Sequence, residues 1–522
     1  MSVDVAMNST VRGRTLGALL PRDAQAFAEV MIGGIAYDSR RVRPRDLFFA
    51  LPGTQVDGLR FAADAVRAGA AAVVAERAVD VAAPVVVVTH ARRAMAEASH
   101  RFYGHPDRAL TLVGVVGTNG KSTVAAGLQT IWETAGIAAG SIGTVDYRWG
   151  THALRATRTT PEAPDLDAIL AQMRDENVVA AAIEVSSHAL ALDRVWGLNF
   201  RGGVLTNITR DHLDFHKTFD SYKKAKRLLF ERLTSPDAFA AINVDDPAAQ
   251  EFIAAAATAR IITYSADNPD ADVHLVVDRH DLDGTAGRLV IDGQSRPFHA
   301  PLWGAFNHAN IAAMVAGAAG AGLDGAVIAR GVGAFTGVTG RLERIPSAAP
   351  FRVYVDFAHT PDALRAVLSA ARPLVKGNLL VVFGCGGDRD RGKRPEMARA
   401  VEQWADKIYL TSDNPRSEDP ERIIADTKSG FGSDTHIWCD SDRARAIVQA
   451  VADAGAGDVV LLCGKGHEET QEIAGVKHRF SDRETVIEAL AAAGHPPQTP
   501  SKRGGSHPGR AVGPGGDPSP AR

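Results

Sequence analysis

The chain has 522 residues, a formal net charge of −3, 45% hydrophobic residues and 23% charged ones. Such a length exceeds one ordinary domain and fits about three. So even a charge balance argues against a protein built on nucleic-acid or membrane-surface electrostatics.

Three cysteines, Cys385, Cys439 and Cys463, are too sparse and too odd in number for a disulfide framework, which points to a reducing compartment. Met1-Ser2-Val3-Asp4 carries no basic stretch ahead of an apolar core, so no signal peptide is expected. The Ala/Gly-rich stretch from Ile311 to Leu323 is too short to span a bilayer and is expected to be a buried helix. The expectation is a cytoplasmic protein with no membrane span.

In chain order, short apolar runs at Asp46–Ala50, Ala71–Ala75, Pro84–Val88, Thr111–Val116, Ala180–Glu184, Gly203–Thr206, Ala240–Val244 and Arg260–Tyr264 are each followed by a helical pattern. Val353–Val355, Leu379–Phe383, Lys407–Thr411 and Asp458–Cys463 continue the series. Alternating strands and helices predict an α/β fold with largely parallel sheets. One boundary is expected near Tyr103–Asp107 and a second near Gly340–Arg344. The spans are then 1–107, 108–342 and 343–495, with 496–522 as a Pro/Gly/Ser/Arg-rich tail that cannot offset its ordering entropy and is expected to be disordered.

The run Gly117-Thr118-Asn119-Gly120-Lys121-Ser122-Thr123 has an apolar strand before it and an Ala-rich helix after it, the context a phosphate cradle requires. Glycines there let backbone N–H groups approach phosphate oxygens, and the helix N-terminus favours negative charge. Lys121 is placed to reach the β/γ-phosphates, and Ser122 to sit on Mg²⁺. The Walker consensus also asks for Gly five residues before Gly120, where this chain has Val115.

Two polar clusters follow later strands. Ile183-Glu184-Val185-Ser186-Ser187-His188 puts a carboxylate at a strand's C-terminal end, where α/β sheets bind ligands. Glu184 suits Mg²⁺, a hard cation that takes oxygen ligands, while Ser186 or Ser187 equally suits a helix N-cap. Asp211-His212-Leu213-Asp214-Phe215-His216 packs two Asp and two His into six residues. It is either a polar helix start or part of a metal and acid site. In Ser221–Lys226, Tyr222 and Lys226 share a helix face.

Taken together, Gly117–Thr123, Glu184–His188, Asn207 with Asp211–His216, and Tyr222–Lys226 resemble the Mur ligase family. Asn243–Asp246, Gly304–Asn307 with Asn310, and Gly340–Glu343 extend the resemblance over residues 35–490. The resemblance implies three domains: an N-terminal UDP-sugar-binding domain, a central phosphate-loop ATPase domain with a parallel sheet, and a C-terminal Rossmann-like domain that receives an amino acid. It implies ATP as co-substrate at Gly117, Thr118, Asn119, Gly120, Lys121, Ser122, Thr123, Asn307 and Arg341. Mg²⁺ is implied at Ser122 and Glu184 and at His212 with Lys226, the lysine carrying a carbamate; Lys121, Glu184, His212 and Lys226 are the implied catalytic residues.

Asp38-Ser39-Arg40 and Gly53–Gly58 resemble the branch that handles the third residue of the stem peptide. Ser39, Thr54, Gln55 and Val56 are thereby implied to contact the uridine-diphosphate part of UDP-N-acetylmuramoyl-L-alanyl-D-glutamate. Thr159, Thr160, Ser186 and Arg194 are implied to hold its peptide; family members often have Gln two residues before that Arg, and here it is Leu192.

Asp413-Asn414-Pro415-Arg416 resembles the turn of members that add meso-diaminopimelate, with Arg389, Gly464 and Glu468 completing that site. A guanidinium fork binds the extra carboxylate by two charge-assisted bonds, and facing lysine it would be left unpaired. The expected reaction is ATP-dependent amide formation through an acyl phosphate in peptidoglycan precursor synthesis, by a monomer. Rival readings are a lysine-adding relative, a folate polyglutamating ligase, and a phosphate-loop regulator without catalysis. Arg416, the Asp38–Arg40 segment and the set Lys121, Glu184, His212 and Lys226 argue against these in turn.

Overall fold

The computed structural model describes residues 13–53, 56–432 and 437–496. Thr54 and Gln55, and all but the first residue of the tail at 496–522, lie outside the described residues. The chain forms two compact units, one of residues up to Glu343 with Asp362–Val375, the other of Arg344–Pro361 with Lys376 onward.

Among the described residues the first unit holds three sheets, the smallest pairing Arg14–Thr15 with Met31–Ile32. A four-stranded sheet orders Gly34–Ala36, Asp46–Phe49, Ala72–Ala75 and Val85–Val87, all parallel. One face packs Leu47, Phe49, Val74 and Val86 against Met95, Ala98 and Phe102 of the helix Ala91–Phe102, and that core also takes in Ala168 and Ala171 from the helix Ala163–Asp175. This shared core ties the N-terminal sheet to the larger one beside it.

The larger sheet has eleven strands. Its centre runs Ala139–Ile142, Ala180–Glu184, Thr111–Val116, Phe200–Leu205, Phe239–Asn243 and Arg260–Ser265, all parallel. Side chains on both faces of these strands are buried, which is why they read as continuous apolar runs rather than alternating ones. One face packs on the helices Lys121–Thr134, Ala305–Gly320 and Gly325–Ala334, the other on Ala163–Asp175, Phe219–Glu231 and Ala249–Ala255. The Ile311–Leu323 stretch lies mostly in the buried helix Ala305–Gly320, as its composition predicts.

Both edges of this sheet are antiparallel, which the sequence reading did not find. One is the hairpin Asp146–Trp149 with His152–Arg155; the other is the meander Val273–Asp281, Gly284–Ile291 and Gln294–Ala300. Edge strands face solvent on one side, so their polar residues dilute the apolar signal that marks the central strands.

The second unit is built on a six-stranded sheet ordered Glu343–Ile345, Arg352–Asp356, Val459–Cys463, Leu379–Cys385, Lys407–Ser412 and Ile437–Cys439. From Arg352–Asp356 onward every pairing is parallel. Helices Arg443–Ala452 and Asp482–Ala492 supply its buried partners Ala446, Ile447, Val486 and Leu490.

One ion pair in the first unit has a pH signature. His100 is 4% exposed; its Nδ1 meets Asp167 at 2.9 Å and its Nε2 bonds the Trp196 carbonyl at 2.7 Å. Burial by itself lowers the imidazole, but the Asp167 charge and hydrogen bond outweigh it and raise the pKa to about 9. A raised pKa stabilises the fold fully below the ordinary value near 6.5, and that contribution is lost as pH rises through about 9. Denaturant unfolding of His100→Gln is therefore expected to show a deficit of up to roughly 3 kcal/mol at pH 6 that shrinks by pH 9.5. A deficit that is the same at both pH values would mean that packing, not charge, holds this contact.

Candidate functional site

The strand Thr111–Val116 ends in the loop Gly117–Gly120, and the helix Lys121–Thr134 starts directly after it. Two positions in the loop admit only glycine. Gly117 has φ 153° and a Cβ there would stand 1.8 Å from Thr206 Oγ1; Gly120 has φ 84° and its Cβ would stand 2.1 Å from Asn310 Oδ1. The absent side chains allow the backbone to turn tightly against the neighbouring strand end and the buried helix.

The loop is laced to the segment after Phe200–Leu205. Thr118 N donates to Asn207 O at 2.7 Å, Asn119 N to Asn207 Oδ1 at 3.0 Å, and Thr206 Oγ1 to Asn119 O at 2.6 Å. Thr118 Oγ1 and the Tyr222 hydroxyl are 2.9 Å apart. Asn307 donates to Trp303 O at 2.7 Å and accepts from Asn310 at 2.9 Å, so both asparagines are fixed beneath the loop.

Two lysines converge on one carbonyl. Lys121 Nζ donates to Gly117 O at 2.9 Å and to Thr118 O at 2.8 Å, and Lys226 Nζ donates to the same Gly117 O at 2.6 Å. Lys226 is 2% exposed and lies over the Tyr222 ring at 4.7 Å, the i, i+4 contact its helix predicts. Burial, then the nearby charge of Lys121, holds the Lys226 amine well below the usual lysine range. Burial also lowers Lys121, with the charge of Glu184 opposing and that of Arg341 adding. Ser122 and Thr123 are partly buried in the first turn of the helix.

Glu184, 2% exposed, ends its strand, and its carboxylate accepts from Thr144 N at 2.8 Å and Thr144 Oγ1 at 3.0 Å. Thr144 Oγ1 lies 3.1 Å from Thr159 Oγ1. Thr160 Oγ1 donates to Glu184 O at 2.7 Å and accepts from Ser186 N at 3.1 Å. Arg194 donates to Thr160 O at 3.1 Å and pairs with Glu162 at 2.9 Å. Ser186 caps the short helix Ser187–Ala191 by accepting from Ala189 N. The sequence left a cap and a site role as alternatives for Ser186; the cap is made, and it sits among Thr159, Thr160, Glu184 and Arg194.

The Asp211–His216 cluster is partly a helix start, Leu213–His216, preceded by His212 at φ 51°. The His212 ring stacks edge-on against His188 at 4.8 Å and faces Tyr222 at 6.3 Å. Among the described residues no three His, Cys, Asp or Glu side chains gather into a metal-binding set. The oxygens of Ser122 and Glu184 suit a hard cation in kind; a lysine amine does not, and Lys226 fits such an ion only as an oxygen-bearing derivative. Ser39 opens a short 3₁₀ turn, Ser39–Arg41, capped by Asp38, while Val56 is exposed. Leu192, the C-cap of the helix Ser187–Ala191, is partly buried.

In the second unit, three neighbouring parallel strands deliver three loops from their C-terminal ends: Leu379–Cys385, Lys407–Ser412 and Val459–Cys463. Asn414 Nδ2 donates to Glu468 Oε2 at 2.9 Å, and Gly387 N donates to Asn414 O at 2.9 Å. Arg416 has φ 54°; its N donates to Glu472 O at 2.9 Å and its Nη1 to Gly387 O at 2.6 Å. A Cβ on Gly386 would lie 3.0 Å from Arg416 Nη1 and 3.6 Å from Arg389 Cγ, so both arginines border one glycine, with Arg389 exposed. Pro415 O packs against Gly387, and Gly464 takes φ 116° beside Asp413. Burial raises the Asp413 carboxyl, with Lys465 and Arg443 opposing.

Two residues here had no role in the sequence reading. Arg443, 1% exposed, pairs with Asp482 at 2.6 Å and donates to Ser412 O and Cys463 O at 3.3 and 2.9 Å. It fastens the ends of two loop-bearing strands. Arg443 is the first residue of its helix and its partner lies 39 residues away, so no local pattern reveals the pair. Lys465 is buried between two glycines, a placement visible in sequence only as an isolated lysine after an apolar strand.

The chain matches three family models: "Mur ligase family, catalytic domain" over residues 31–103, "Mur ligase middle domain" over 115–318 and "Mur ligase, glutamate ligase domain" over 340–466. It is 45% identical over 488 residues to a UDP-N-acetylmuramoyl-L-alanyl-D-glutamate–2,6-diaminopimelate ligase of Chlorobaculum tepidum, covering 91% of this chain and 96% of that one. A relative of the same name from Streptomyces coelicolor is 45% identical over 475 residues, covering 88% and 92%. A solved structure of a ligase of this name superposes with TM-score 0.69 at 35% identity, covering 93% of this chain and all of the other. A D-alanyl-D-alanyl-adding ligase from Acinetobacter baumannii, at 19% identity and TM-score 0.62, shares the fold.

Proposed function

The chain belongs to the Mur ligase family, and from that premise we propose that it joins meso-diaminopimelate to the D-glutamate of UDP-N-acetylmuramoyl-L-alanyl-D-glutamate, converting ATP to ADP and phosphate. It is an amide-forming acid–amino-acid ligase of peptidoglycan precursor synthesis, and relatives 45% identical to it are named UDP-N-acetylmuramoyl-L-alanyl-D-glutamate–2,6-diaminopimelate ligases. The observation that carries the choice of amino acid is the Asp413–Arg416 turn with Arg416 fixed beside Gly387 and Glu468 beside Asn414.

In this reading the γ-carboxylate of D-glutamate attacks the γ-phosphorus of ATP, the bond to ADP breaks, and an acyl phosphate forms. The loop Gly117–Thr123 cradles the phosphates through its backbone N–H groups, with Asn307 and Arg341 on the nucleotide side. Lys121, now on two loop carbonyls, turns to the incoming anion, whose charge offsets the desolvation of a partly buried ammonium. Thr159, Thr160, Ser186 and Arg194 hold the peptide, and Ser39 with Thr54, Gln55 and Val56 holds the uridine diphosphate. The free amine of diaminopimelate then attacks the acyl carbonyl, phosphate leaves and a proton is lost. Arg389, Asp413, Asn414, Pro415, Arg416, Gly464 and Glu468 receive that amino acid.

Mg²⁺, when bound, neutralises charge on the transferring phosphoryl group; Ser122 and Glu184 would hold one ion, and His212 with Lys226 a second. The second pair needs Lys226 as a carbamate. Burial holds this amine well below its ordinary pKa, which favours its neutral form. Its lone pair is then available to bond the carbon of CO₂, releasing a proton and leaving an anionic oxygen donor.

The domain division is 1–107, 108–342 and 343–495, and the enzyme acts as a cytoplasmic monomer without nucleic-acid partners. Among the described residues no helix is long and apolar enough to cross a membrane.

The test is phosphate release with ATP, Mg²⁺ and the UDP-linked dipeptide, offering meso-diaminopimelate or L-lysine. Turnover with diaminopimelate and little with lysine is expected. Equal or better turnover with lysine would overturn the amino-acid assignment and leave the ligase; none with either would overturn both.

A further inference from the structure

The amino-acid cluster of the second unit contains a charge to which the ligase reading gives no task. Lys465 is 0% exposed. Its Nζ lies 3.0 Å from Glu468 Oε2, 3.3 Å from Asn414 Oδ1 and 3.8 Å from Asp413 Oδ1. Gly464 at φ 116° and Gly466 at φ 52° flank it, so the lysine sits in a turn that L side chains on either neighbour would strain. A cation is retained in so buried a place only where acceptors surround it, and here they are the groups read as binding the far end of the amino acid.

Charge decides what that does. Two carboxylates, Asp413 and Glu468, face one ammonium, Lys465, with the Arg416 guanidinium beside Gly387 close by. With Lys465 in place the cluster is near balance. Without it, the balance tips by one negative charge where Lys465 is fully buried and Asp413 nearly so. The two competing amino acids differ at this end by a single group: diaminopimelate presents an ammonium and a carboxylate, lysine an ammonium alone. An under-compensated acidic pair would attract lysine and repel the carboxylate of diaminopimelate. Moreover, Glu468 Oε2, which could have met the substrate's ammonium, already accepts from Lys465 and Asn414.

We infer that Lys465 is a second specificity-determining residue. It neutralises Glu468 and Asp413, and so denies lysine's lone ammonium the acidic pocket it would need, while Arg416 holds the carboxylate that lysine lacks. The discrimination thus has a refusing part as well as an attracting part. The inference rests on the diaminopimelate-ligase reading. The bland alternative is that Lys465 merely ties Asn414 to Glu468 and keeps the loops in place.

The experiment measures kcat/KM for meso-diaminopimelate and for L-lysine in the wild-type enzyme, Lys465→Gln and Lys465→Arg. In Lys465→Gln the preference for diaminopimelate over lysine is expected to fall by about 100-fold, the size of one partly screened charge–charge contact, whereas Lys465→Arg keeps it within about tenfold. A parallel loss for both amino acids, leaving their ratio intact, would overturn the inference and make Lys465 a structural tie.

A second measurement needs no variant. In the wild-type enzyme, 2-aminopimelate, which has the far carboxylate but no far amine, is expected to inhibit more strongly than L-lysine. Stronger inhibition by lysine would overturn the inference as well. Failure of the ligase reading looks different: the wild-type enzyme would then not turn over diaminopimelate at all.

Discussion

Lys121→Met is expected to lower kcat for ATP-dependent amide formation by about 10³-fold, the scale seen when one preorganised charge donor is removed from a transition state. In the free protein the Lys121 ammonium lies within its own loop. It spans Gly117 O and Thr118 O of its own loop, and burial holds it below the usual lysine range. Neither carbonyl neutralises it, and an anion bound in the loop would favour its charged form. A thioether of similar length keeps the packing and removes only the charge. Because the cation is desolvated in the free protein, its loss is not expected to lower the melting temperature. A variant whose phosphate release stays within tenfold of wild type would refute the phosphate-cradle reading. One that loses activity together with its melting transition would indicate a folding role instead.

Arg416→Asn is expected to reduce kcat/KM for meso-diaminopimelate by roughly 10²–10³-fold and to change that for lysine far less, because losing the guanidinium takes a partner only from the substrate that carries the far carboxylate. Asn is the informative replacement. Arg416 sits at φ 54°, where Asn is tolerated better than most residues, so backbone strain is not confounded with loss of the guanidinium. The backbone bond from Arg416 N to Glu472 O survives the change, and the bond from Nη1 to Gly387 O does not. That second bond orients the fork before substrate arrives, which lowers the ordering cost on binding. An unchanged ratio of the two amino acids would remove Arg416 from the specificity account and leave Lys465 to be judged by its own experiment.

Much of this was legible in sequence wherever the chemistry is local. The parallel core strands announce themselves as apolar runs because both their faces are covered. The phosphate loop reads directly from Gly117, Gly120 and Lys121, since glycine is obligatory where a Cβ would strike Thr206 or Asn310. The i, i+4 spacing placed Lys226 over Tyr222. What stayed hidden depends on residues far apart in the chain. The antiparallel edges at 146–155 and 273–300 have mixed polarity because one side meets solvent. The pairing of Arg443 with Asp482 spans two helices that each look ordinary.

The sequence by itself determined the α/β class, the phosphate loop and the residue types gathered at each strand end, because these depend on side-chain volume, apolar continuity and backbone freedom within a few residues. Only the tertiary structure decided which charges meet. Lys121 and Lys226 share the carbonyl of Gly117, 109 residues from Lys226. Lys465 joins Asn414 across 51 residues, and through it the two loops read as selecting the amino acid. Electrostatic energies depend on distance and burial in space, and a chain position fixes neither until the sheets bring distant strand ends together.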